Sequence, residues 1–235
     1  RYRSKKLSPS TQVLGIVAYP AGHSMSPALH NRLFQSCGVD AVFLPFEVAP
    51  NRLRDFFRFV ERLPVAGLSV TIPHKCNVIR YLDFLDPLAN RIGAVNTIFR
   101  HKKKLCGTNT DAIGVTAPLN NRISLKRASV LVIGNGGAAR AAVFALKEKG
   151  ARVTLSGRNP QRVRALAKAC EIAALNRNQV VQKKFDALVH ATPVGMHPQE
   201  DQCFFEDVIP ADLVFDMVYN PLETLLLKKA RSQGK

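Results

Sequence analysis

Long apolar runs, acidic side chains and paired cysteines are all scarce in this sequence. No apolar run approaches the ~20 residues that a membrane-spanning helix needs, so we expect no membrane segment. The five cysteines include no Cys-x-x-Cys pair and have no histidine at metal-ligand spacing. We therefore expect no metal site and a reduced, cytoplasmic setting. Cys76 follows Lys75, and we interpret it as a bystander thiol.

The shortage of acidic residues leaves a formal net charge of +17, from 34 Lys and Arg against 17 Asp and Glu. Such an excess favours nucleic acid, anionic surfaces or small anionic ligands as partners. The basic residues are dense only at residues 1–6 and 101–104. Neither run is interleaved with aromatic side chains, as a platform for single-stranded nucleic acid would be. We therefore expect solvated basic faces and no nucleic-acid partner.

The chain also lacks low-complexity tracts, and a hydrophobic content of 46% is typical of a folded protein. Its 235 residues are enough for one large or two small domains. The basic start has no apolar core after it, so we expect that it is not a secretory signal. Because the first residue is Arg1 rather than Met, we expect the sequence to be a piece of a longer protein.

Strands alternate with helices along both halves of the sequence. In the first half the apolar spacing predicts strands at residues 13–19, 41–48 and 65–72, and helices at 25–37, 51–63 and 73–85. In the second half it predicts strands at 128–133, 152–156, 187–191 and 213–216, and helices at 137–149 and 160–169. This alternation predicts parallel β-α units with binding loops at the strand carboxyl ends. Residues 110–127 should join the two halves.

A glycine-rich segment, Gly134-Asn-Gly-Gly-Ala-Ala139, follows an apolar strand and opens a predicted helix. It has the form G-x-G-x-x-A, whose glycines allow a tight turn and a close approach of the backbone to a pyrophosphate. The alternative is a turn whose glycines serve packing alone. The strand, turn and helix together favour a dinucleotide-binding site.

The residues after the next strand indicate which dinucleotide is bound. About 20 residues past the glycines, an NAD site usually carries Asp or Glu, which accepts hydrogen bonds from the ribose hydroxyls. This chain has Arg158 and Arg162 there instead. A guanidinium cannot accept those bonds but matches a 2′-phosphate, so NADP(H) is favoured over NAD. The alternative is a pair of solvated arginines at a helix start.

Two serines follow the first predicted strand, in Gly22-His-Ser-Met-Ser-Pro27. Ser24 and Ser26 can hydrogen-bond an anion or a polyol. Ser26, which precedes Pro27, equally suits the N-cap of the next helix. Both interpretations stay open. The histidines of this half, His23, His30 and His74, are interpreted as helix-start or surface residues.

Seven segments occur in the order that is typical of shikimate dehydrogenases, and the sequence closely resembles that family. They are GHSMSPALHN, SVTIPHK, GAVNT, GTNTDAIG, GNGGAAR, HATPVGM and DMVYNPLETLLL. The resemblance implies an α/β protein of two domains with a cleft between them. Residues 1–112 would form a substrate domain with a mainly parallel sheet, 1–11 being linker-like, and 113–220 a Rossmann NADP-binding domain. Residues 221–235 would begin a C-terminal segment that returns to the first domain.

The resemblance also implies an activity and a set of site residues. The activity is the NADPH-dependent, reversible reduction of 3-dehydroshikimate to shikimate, a step of aromatic amino-acid biosynthesis through chorismate. Lys75 and Asp111 match the catalytic pair. The substrate contacts would be Ser24, Ser26, Thr71, Asn96 and Tyr219. The cofactor contacts would be Gly134, Asn135, Gly136, Gly137 and Ala138 at the pyrophosphate, Arg158, Asn159 and Arg162 at the 2′-phosphate, and Thr192 and Met196 near the nicotinamide.

The sequence departs from the family pattern in three places. The cofactor loop usually reads NRTxxR in the family, and here it is Gly157-Arg-Asn-Pro-Gln-Arg162, which keeps both arginines. Ser69 stands where the family usually has Asn, and we expect its shorter hydroxyl to lose one hydrogen bond to the substrate loop, whereas Thr71 and Lys75 are retained. The family also continues into a helix whose glutamine contacts substrate, and this sequence ends before it. We therefore expect a truncated or partial chain in which residues 225–227 are exposed.

Several alternatives remain open at this point. The start of the sequence resembles the join in fusions with dehydroquinate dehydratase, so such a fusion is one of them. A quinate/shikimate dehydrogenase shares the motifs, and a non-catalytic NADP-binding relative would share the fold. We expect a monomer or a homodimer.

Overall fold

The computed structural model describes residues 7–22 and 24–235. The basic run at residues 1–6 and His23 lie outside this range, so their predicted roles are not addressed by it. Backbone contacts divide the chain into a first unit that ends at Asn109 and a second unit from Thr110 to Lys235. Each unit is built on its own β-sheet.

The sheet of the first unit has six strands in the order β2-β1-β3-β5-β6-β4. The strands are β1 (Gln12–Ala18), β2 (Ala41–Glu47), β3 (Val65–Val70), β4 (Phe84–Leu85), β5 (Thr97–His101) and β6 (Lys104–Thr108). β1 pairs in parallel with β2 and β3, and β4 with β6, whereas β5 pairs antiparallel with β3 and β6. The prediction of a mainly parallel sheet is confirmed.

Three α-helices accompany this sheet: α1 (Ser26–Ser36), α2 (Leu53–Arg62) and α3 (Pro87–Ile92), with 3₁₀ turns at Pro50–Arg52 and Val78–Tyr81. α2 places Leu53, Phe57 and Val60 on one buried stripe, as the spacing predicts. These side chains pack in one cluster with Val17 and Val70 of the sheet.

The prediction of a helix at residues 73–85 is wrong. The segment makes turns, the short 3₁₀ stretch and strand β4 instead. Asp83 explains the strand, because its amide donates to the carbonyl of Leu105 and its carboxylate accepts from the amide of Leu105. These long-range bonds fix the chain beside β6 and outweigh the local apolar spacing.

The antiparallel pair β5–β6 was not predicted. Its turn contains the basic run at residues 101–104, where Lys102 adopts a left-handed conformation with φ of 56°. All four side chains of this turn are exposed. The run is therefore a solvated turn, as the sequence interpretation of this run expected.

The second unit is a five-stranded parallel sheet in the order β11-β10-β7-β8-β9. Its strands are β7 (Ser129–Ile133), β8 (Arg152–Ser156), β9 (Ala173–Ala174), β10 (Phe185–His190) and β11 (Ala211–Asp216). Its helices are α4 (Asp111–Asn120), α5 (Gly137–Glu148), α6 (Pro160–Ala169), α7 (Arg177–Val180) and α8 (Leu225–Ser232). The alternation predicted for this half is confirmed.

Alternate residues of β7 point to opposite faces of this sheet, and each face is covered. Val130 and Val132 belong to one apolar cluster, and Leu131 and Ile133 to another. Leu226 of α8 lies in the second cluster and is 3% exposed. The expectation that residues 225–227 are all exposed is therefore wrong, because α8 turns this side chain onto the sheet. Among the helices of the described residues, none combines the length and apolarity that crossing a membrane requires.

Gly15, in strand β1 between β2 and β3, gives a test of how tightly the first sheet is packed. A Cβ built there would lie 2.5 Å from the carbonyl oxygen of Leu44. Gly15→Ala should therefore lower the free energy of unfolding by about 1–3 kcal/mol through overpacking. Gly114→Ala is the control, because a Cβ there meets nothing within 4 Å on helix α4. It should be neutral or stabilise by up to about 1 kcal/mol. Equal denaturant midpoints for Gly15→Ala and the unmodified protein would contradict this packing.

Candidate active site

In the first unit, backbone hydrogen bonds hold the carboxyl ends of β1, β2 and β3 together. The amide of Tyr19 donates to the carbonyl of Ile72 at 3.0 Å, and the amide of Thr71 donates to that of Val17 at 3.1 Å. The amide of Val48 donates to the carbonyl of Ala18 at 2.9 Å. The loops that follow these strands therefore start from one edge of the sheet.

The loop after β1 presents Ser24 and leads into helix α1. Ser24 is 8% exposed, and its Oγ accepts the amide of Ser26 at 3.3 Å. This bond uses a lone pair, so the Ser24 hydroxyl can still donate to an anionic ligand. The alternative in which Ser26 is the N-cap is wrong, because the helix starts at Ser26 and its cap position is Met25. Sequence reasoning missed Glu47, whose Oε2 holds this loop by accepting the amide of Ala21 at 2.8 Å.

The loop after β3 brings Lys75 and Thr71 to the segment that carries Asn96. The carbonyl of Lys75 accepts the amide of Val95 at 2.8 Å, and the carbonyl of Asn96 accepts the amide of Val70 at 2.7 Å. Lys75, Thr71 and Asn96 are each half-buried. Three of the predicted site residues are thus placed on neighbouring segments of one sheet edge.

His74 is fully buried, so its interpretation as a helix-start or surface residue is wrong. Its Nε2 lies 2.7 Å from the carbonyl oxygen of Val48, which can only accept, so Nε2 carries the hydrogen. Nδ1 has no hydrogen-bond partner among the described atoms. Burial lowers the pKa of His74, and the hydrogen bond to Val48 raises it by a smaller amount. The charged ring is disfavoured because it would carry a buried proton on Nδ1 without a partner. His74, which directly precedes Lys75, is therefore anchored to the end of β2.

Two further side chains of this unit lie close to the predicted residues in the sequence. Asn109 is 3% exposed, and its Nδ2 donates to the carbonyl of Ala94 at 2.9 Å. It thereby holds the segment that carries Asn96, a role that the sequence motif did not indicate. His30 is half-buried in α1 and stacks on Phe43, with ring centroids 4.3 Å apart.

In the second unit, the glycine-rich loop connects β7 to α5 as the motif predicts. Gly134 has φ of +132°, and a Cβ there would lie 2.7 Å from the carbonyl oxygen of Ala191. Gly136 is the N-cap of α5, and a Cβ there meets nothing within 4 Å. The first amides of a helix have no partner within it and lie at the positive end of its dipole. This arrangement fits a pyrophosphate beside residues 134–138.

The two predicted arginines follow strand β8, the neighbour of β7: Arg158 lies in the loop after the strand and Arg162 in the first turn of α6. Arg158 and Arg162 are both exposed around the first turn of α6. Asn159 caps this helix, because its Oδ1 accepts the amide of Arg162 at 3.0 Å. The cap uses only the side-chain oxygen of Asn159, so its amide group can still donate. Two guanidinium groups and an amide at a helix start are chemically suited to a phosphate.

The loops after β10 and β11 carry the remaining predicted residues of this unit. Thr192 and Met196 follow β10 and are half-buried, whereas Tyr219 follows β11 and is 53% exposed. The Oγ1 of Thr192 lies 2.6 Å from Nε2 of His190. Sequence reasoning did not single out His190, although it ends the strand directly before the predicted nicotinamide loop.

Comparison with known proteins places both units in one family. Residues 16–98 match the family model for the shikimate dehydrogenase substrate binding domain, and residues 118–197 match that for shikimate / quinate 5-dehydrogenase. A shikimate dehydrogenase (NADP(+)) of Oleidesulfovibrio alaskensis is 41% identical over 230 residues, which cover 95% of this chain and 82% of that protein. The chain belongs to the shikimate dehydrogenase family.

Solved structures of shikimate dehydrogenases share the fold of this family member. The enzyme of Aquifex aeolicus has a TM-score of 0.88 at 36% identity, over 97% of this chain and 86% of that one. The enzyme of Thermus thermophilus, in complex with NADP(H) and shikimate, has a TM-score of 0.84 at 33% identity, over 95% and 85%. The predicted fold class, a substrate domain followed by a Rossmann domain, is confirmed.

The catalytic pair that the family resemblance predicts is divided between the units. Lys75 belongs to the first unit, whereas Asp111 is the first residue of α4 in the second. A carboxylate in the first turn of a helix is stabilised by the helix dipole. The pairing of these two side chains stays a prediction, as do the roles of the other site residues.

The buried His74 predicts a pH dependence of stability. Its pKa in the folded protein lies below that of an unfolded histidine, which is about 6.5. The unfolded chain therefore binds the extra proton first, and stability is lost as the pH falls below that value. His74→Gln, which keeps a donor for Val48, should flatten the loss of Tm between neutral and mildly acidic pH. His30, whose pKa is also lowered by burial, should keep part of the slope.

The control for this measurement is His101→Gln, which removes an exposed histidine from the β5–β6 turn. It should leave the pH dependence of Tm unchanged. If His74→Gln also leaves it unchanged, His74 is not the group that titrates with unfolding.

Proposed function

We propose that this chain catalyses the NADPH-dependent, reversible reduction of 3-dehydroshikimate to shikimate. The proposal is carried by the 41% identity to an NADP-dependent shikimate dehydrogenase across 95% of the chain. The placement of the motif residues at the strand ends of each unit supports it. The reaction needs a hydride donor, a proton donor for the new hydroxyl group and groups that hold the carboxylate and ring hydroxyls of the substrate.

The second unit would hold the cofactor, which supplies the hydride when bound. Residues 134–138 and the start of α5 would bind the pyrophosphate, since the open side of Gly136 admits it. Arg158, Asn159 and Arg162 would bind the 2′-phosphate, and the loop with Thr192 and Met196 would contact the nicotinamide. The exposed arginines make NADP(H) the preferred cofactor.

The first unit would hold the substrate and supply the proton. Ser24 and Ser26 would bind the substrate carboxylate, and Thr71 and Asn96 the ring hydroxyls. Reduction of the ring carbonyl places negative charge on its oxygen, and Lys75 would donate a proton to it as general acid. Asp111 would accept a hydrogen bond from a substrate hydroxyl and hold the ammonium group of Lys75. Tyr219 would contact the substrate from the second unit.

The proposal is tested by adding shikimate and NADP to the purified chain and following the absorbance of NADPH. Turnover that requires both reactants is expected, and no NADPH formation at saturating concentrations would overturn it. The name shikimate / quinate 5-dehydrogenase of the second matching family keeps quinate as a second candidate substrate. Comparing kcat/KM for shikimate and quinate, each with NADP and NAD, separates the two; we expect the highest value for shikimate with NADP.

Lys75→Ala tests the proton donor. Loss of general acid catalysis should lower kcat by about 10²- to 10⁴-fold with a modest change in KM for shikimate. Lys103→Ala, which removes an exposed lysine from the β5–β6 turn of the same unit, is the matched control and should retain full activity. An unchanged kcat in Lys75→Ala would reject the assignment of the general acid.

Arg158→Ala tests the recognition of the 2′-phosphate. A hydrogen bond to a charged group contributes about 1.5–3 kcal/mol, so KM for NADP should rise roughly 10- to 100-fold. KM for shikimate and the activity with NAD should change little. Arg164→Ala, an exposed arginine of the same helix, is the control. Equal effects of Arg158→Ala on NADP and NAD would count against this role.

The proposed reaction involves only small molecules, so it does not depend on a fused domain, on the oligomeric state or on the cellular compartment. A fused dehydroquinate dehydratase, the choice between monomer and homodimer, and a cytoplasmic setting stay predictions.

A further inference from the structure

A buried chain of polar side chains in the second unit joins the loop after β10 to the loop after β11. His190 Nδ1 lies 2.9 Å from Oδ1 of Asp216, and its Nε2 lies 2.6 Å from Oγ1 of Thr192. The hydroxyl of Thr224 donates to Oδ2 of Asp216 at 2.7 Å. These four residues, Thr192, His190, Asp216 and Thr224, are called the His190 network below.

The centre of the His190 network is shielded from solvent. The side chains of His190 and Asp216 are 1% and 0% exposed, and Thr224 is 0% exposed. His190 and Asp216 face each other directly in the parallel register of β10 and β11. Buried polar groups are costly unless each is hydrogen-bonded, so the partners of these groups fix their positions.

Three backbone amides also donate to the side chains of the network. The amide of Val194 donates to Thr192 Oγ1 at 3.2 Å, and the amide of Leu227 donates to Thr224 Oγ1 at 3.3 Å. Asp216 Oδ1 also accepts the amide of Val218 at 3.0 Å. Since the carboxylate only accepts, His190 donates from Nδ1, and in the neutral ring Nε2 accepts the hydroxyl of Thr192. The hydroxyls of Thr192 and Thr224 thus each have a partner within the network and accept a backbone amide, and no polar group of the network is left without a partner.

The network contacts three segments, each of which either takes part in the proposed reaction or lies next to a segment that does. Val194 lies in the loop predicted to contact nicotinamide, Val218 precedes Tyr219, and Leu227 lies in the first turn of α8. The nicotinamide loop also touches the glycine-rich loop, because a Cβ on Gly134 would lie 2.7 Å from the carbonyl oxygen of Ala191. His190 is therefore placed to fix these segments relative to one another without reaching a ligand.

We propose that His190 is a positioning residue that holds the loop at residues 191–196 in the conformation needed to orient the nicotinamide. This inference rests on the proposed function, and it separates the two ends of the cofactor. His190 governs the nicotinamide end, whereas Arg158 and Arg162 bind the adenosine end independently of it. His190 holds Thr192 through its hydroxyl, and the methyl carbon of Thr192 faces the glycine-rich loop, 3.3 Å from the position of a Cβ on Gly134.

The test compares His190→Leu, which cannot hydrogen-bond, with His190→Asn, whose amide can still donate to Asp216. Each variant is titrated with NADPH, followed by nicotinamide fluorescence, and with 2′,5′-ADP, which has the 2′-phosphate but no nicotinamide. The chain has no tryptophan, so indole does not contribute to the signal. His197→Asn is the matched control, because that histidine follows the same loop but is exposed and bonded to Glu200.

We expect kcat to fall about 10- to 100-fold in His190→Leu, since a misplacement of about 1 Å caused by a mutation away from the chemistry can cost roughly 100-fold. The Kd for NADPH should rise, whereas the Kd for 2′,5′-ADP should stay within about twofold, as expected for distant sites. His190→Asn should recover part of kcat because it keeps the bond to Asp216. His197→Asn should match the unmodified protein in all three quantities.

Three results would overturn the proposal. One is full kcat and unchanged NADPH affinity in folded His190→Leu; another is a parallel loss of NADPH and 2′,5′-ADP affinity, which indicates a general structural role. If His190→Leu does not fold, His190→Asn decides, and unchanged kcat and NADPH affinity in that variant are the third. The unmodified protein distinguishes failure of the His190 proposal from failure of the proposed function. Absence of turnover in the unmodified protein rejects the proposed reaction, whereas the affinities of the variants for NADPH and 2′,5′-ADP still test the role of His190.

Discussion

The close approach of Gly134 to the carbonyl oxygen of Ala191 is the constraint on which the cofactor half depends. A Cβ at this position would lie 2.7 Å from that oxygen, so only glycine lets the loops after β7 and β10 meet. Their contact places the start of α5 beside the loop at residues 191–196. The parallel pairing of β7, β8 and β10 then brings the arginines, the helix terminus and the nicotinamide loop to one edge.

In the first unit, backbone hydrogen bonds and one buried histidine hold the loops at the strand ends in place. Backbone hydrogen bonds join the ends of β1, β2 and β3. His74 bonds the loop before Lys75 to the carbonyl of Val48. A general acid must be held in place but remain accessible, and Lys75 is half-buried on a loop whose neighbouring side chain is fully buried. His74 Nδ1 has no hydrogen-bond partner among the described atoms, and a buried polar atom without a partner costs free energy. This unfavourable group directly precedes Lys75, the proposed general acid.

Local sequence signals predicted the second unit better than the first. Strand β8 and helix α6 begin and end at the predicted residues, because Pro160 and the apolar periodicity mark them locally. The segment at residues 73–85 was mispredicted because bonds to Leu105 decide its conformation. The roles of His74 and His190 were missed for the same reason. Each bonds to a residue 26 positions away in the sequence, and no motif or periodicity reports on such pairs.

The central claim is that the cofactor binds to the second unit and that the substrate binds mainly to the first, through the residues described. Amide hydrogen exchange of the whole chain, recorded with NADP alone and with shikimate alone, tests it most directly. We expect NADP to slow exchange at residues 134–140, 158–163 and 191–196 of the second unit. Shikimate should slow exchange at residues 67–77 and 93–97 of the first. Unchanged exchange at both of these latter segments with saturating shikimate, or at the glycine-rich loop with saturating NADP, would contradict the account.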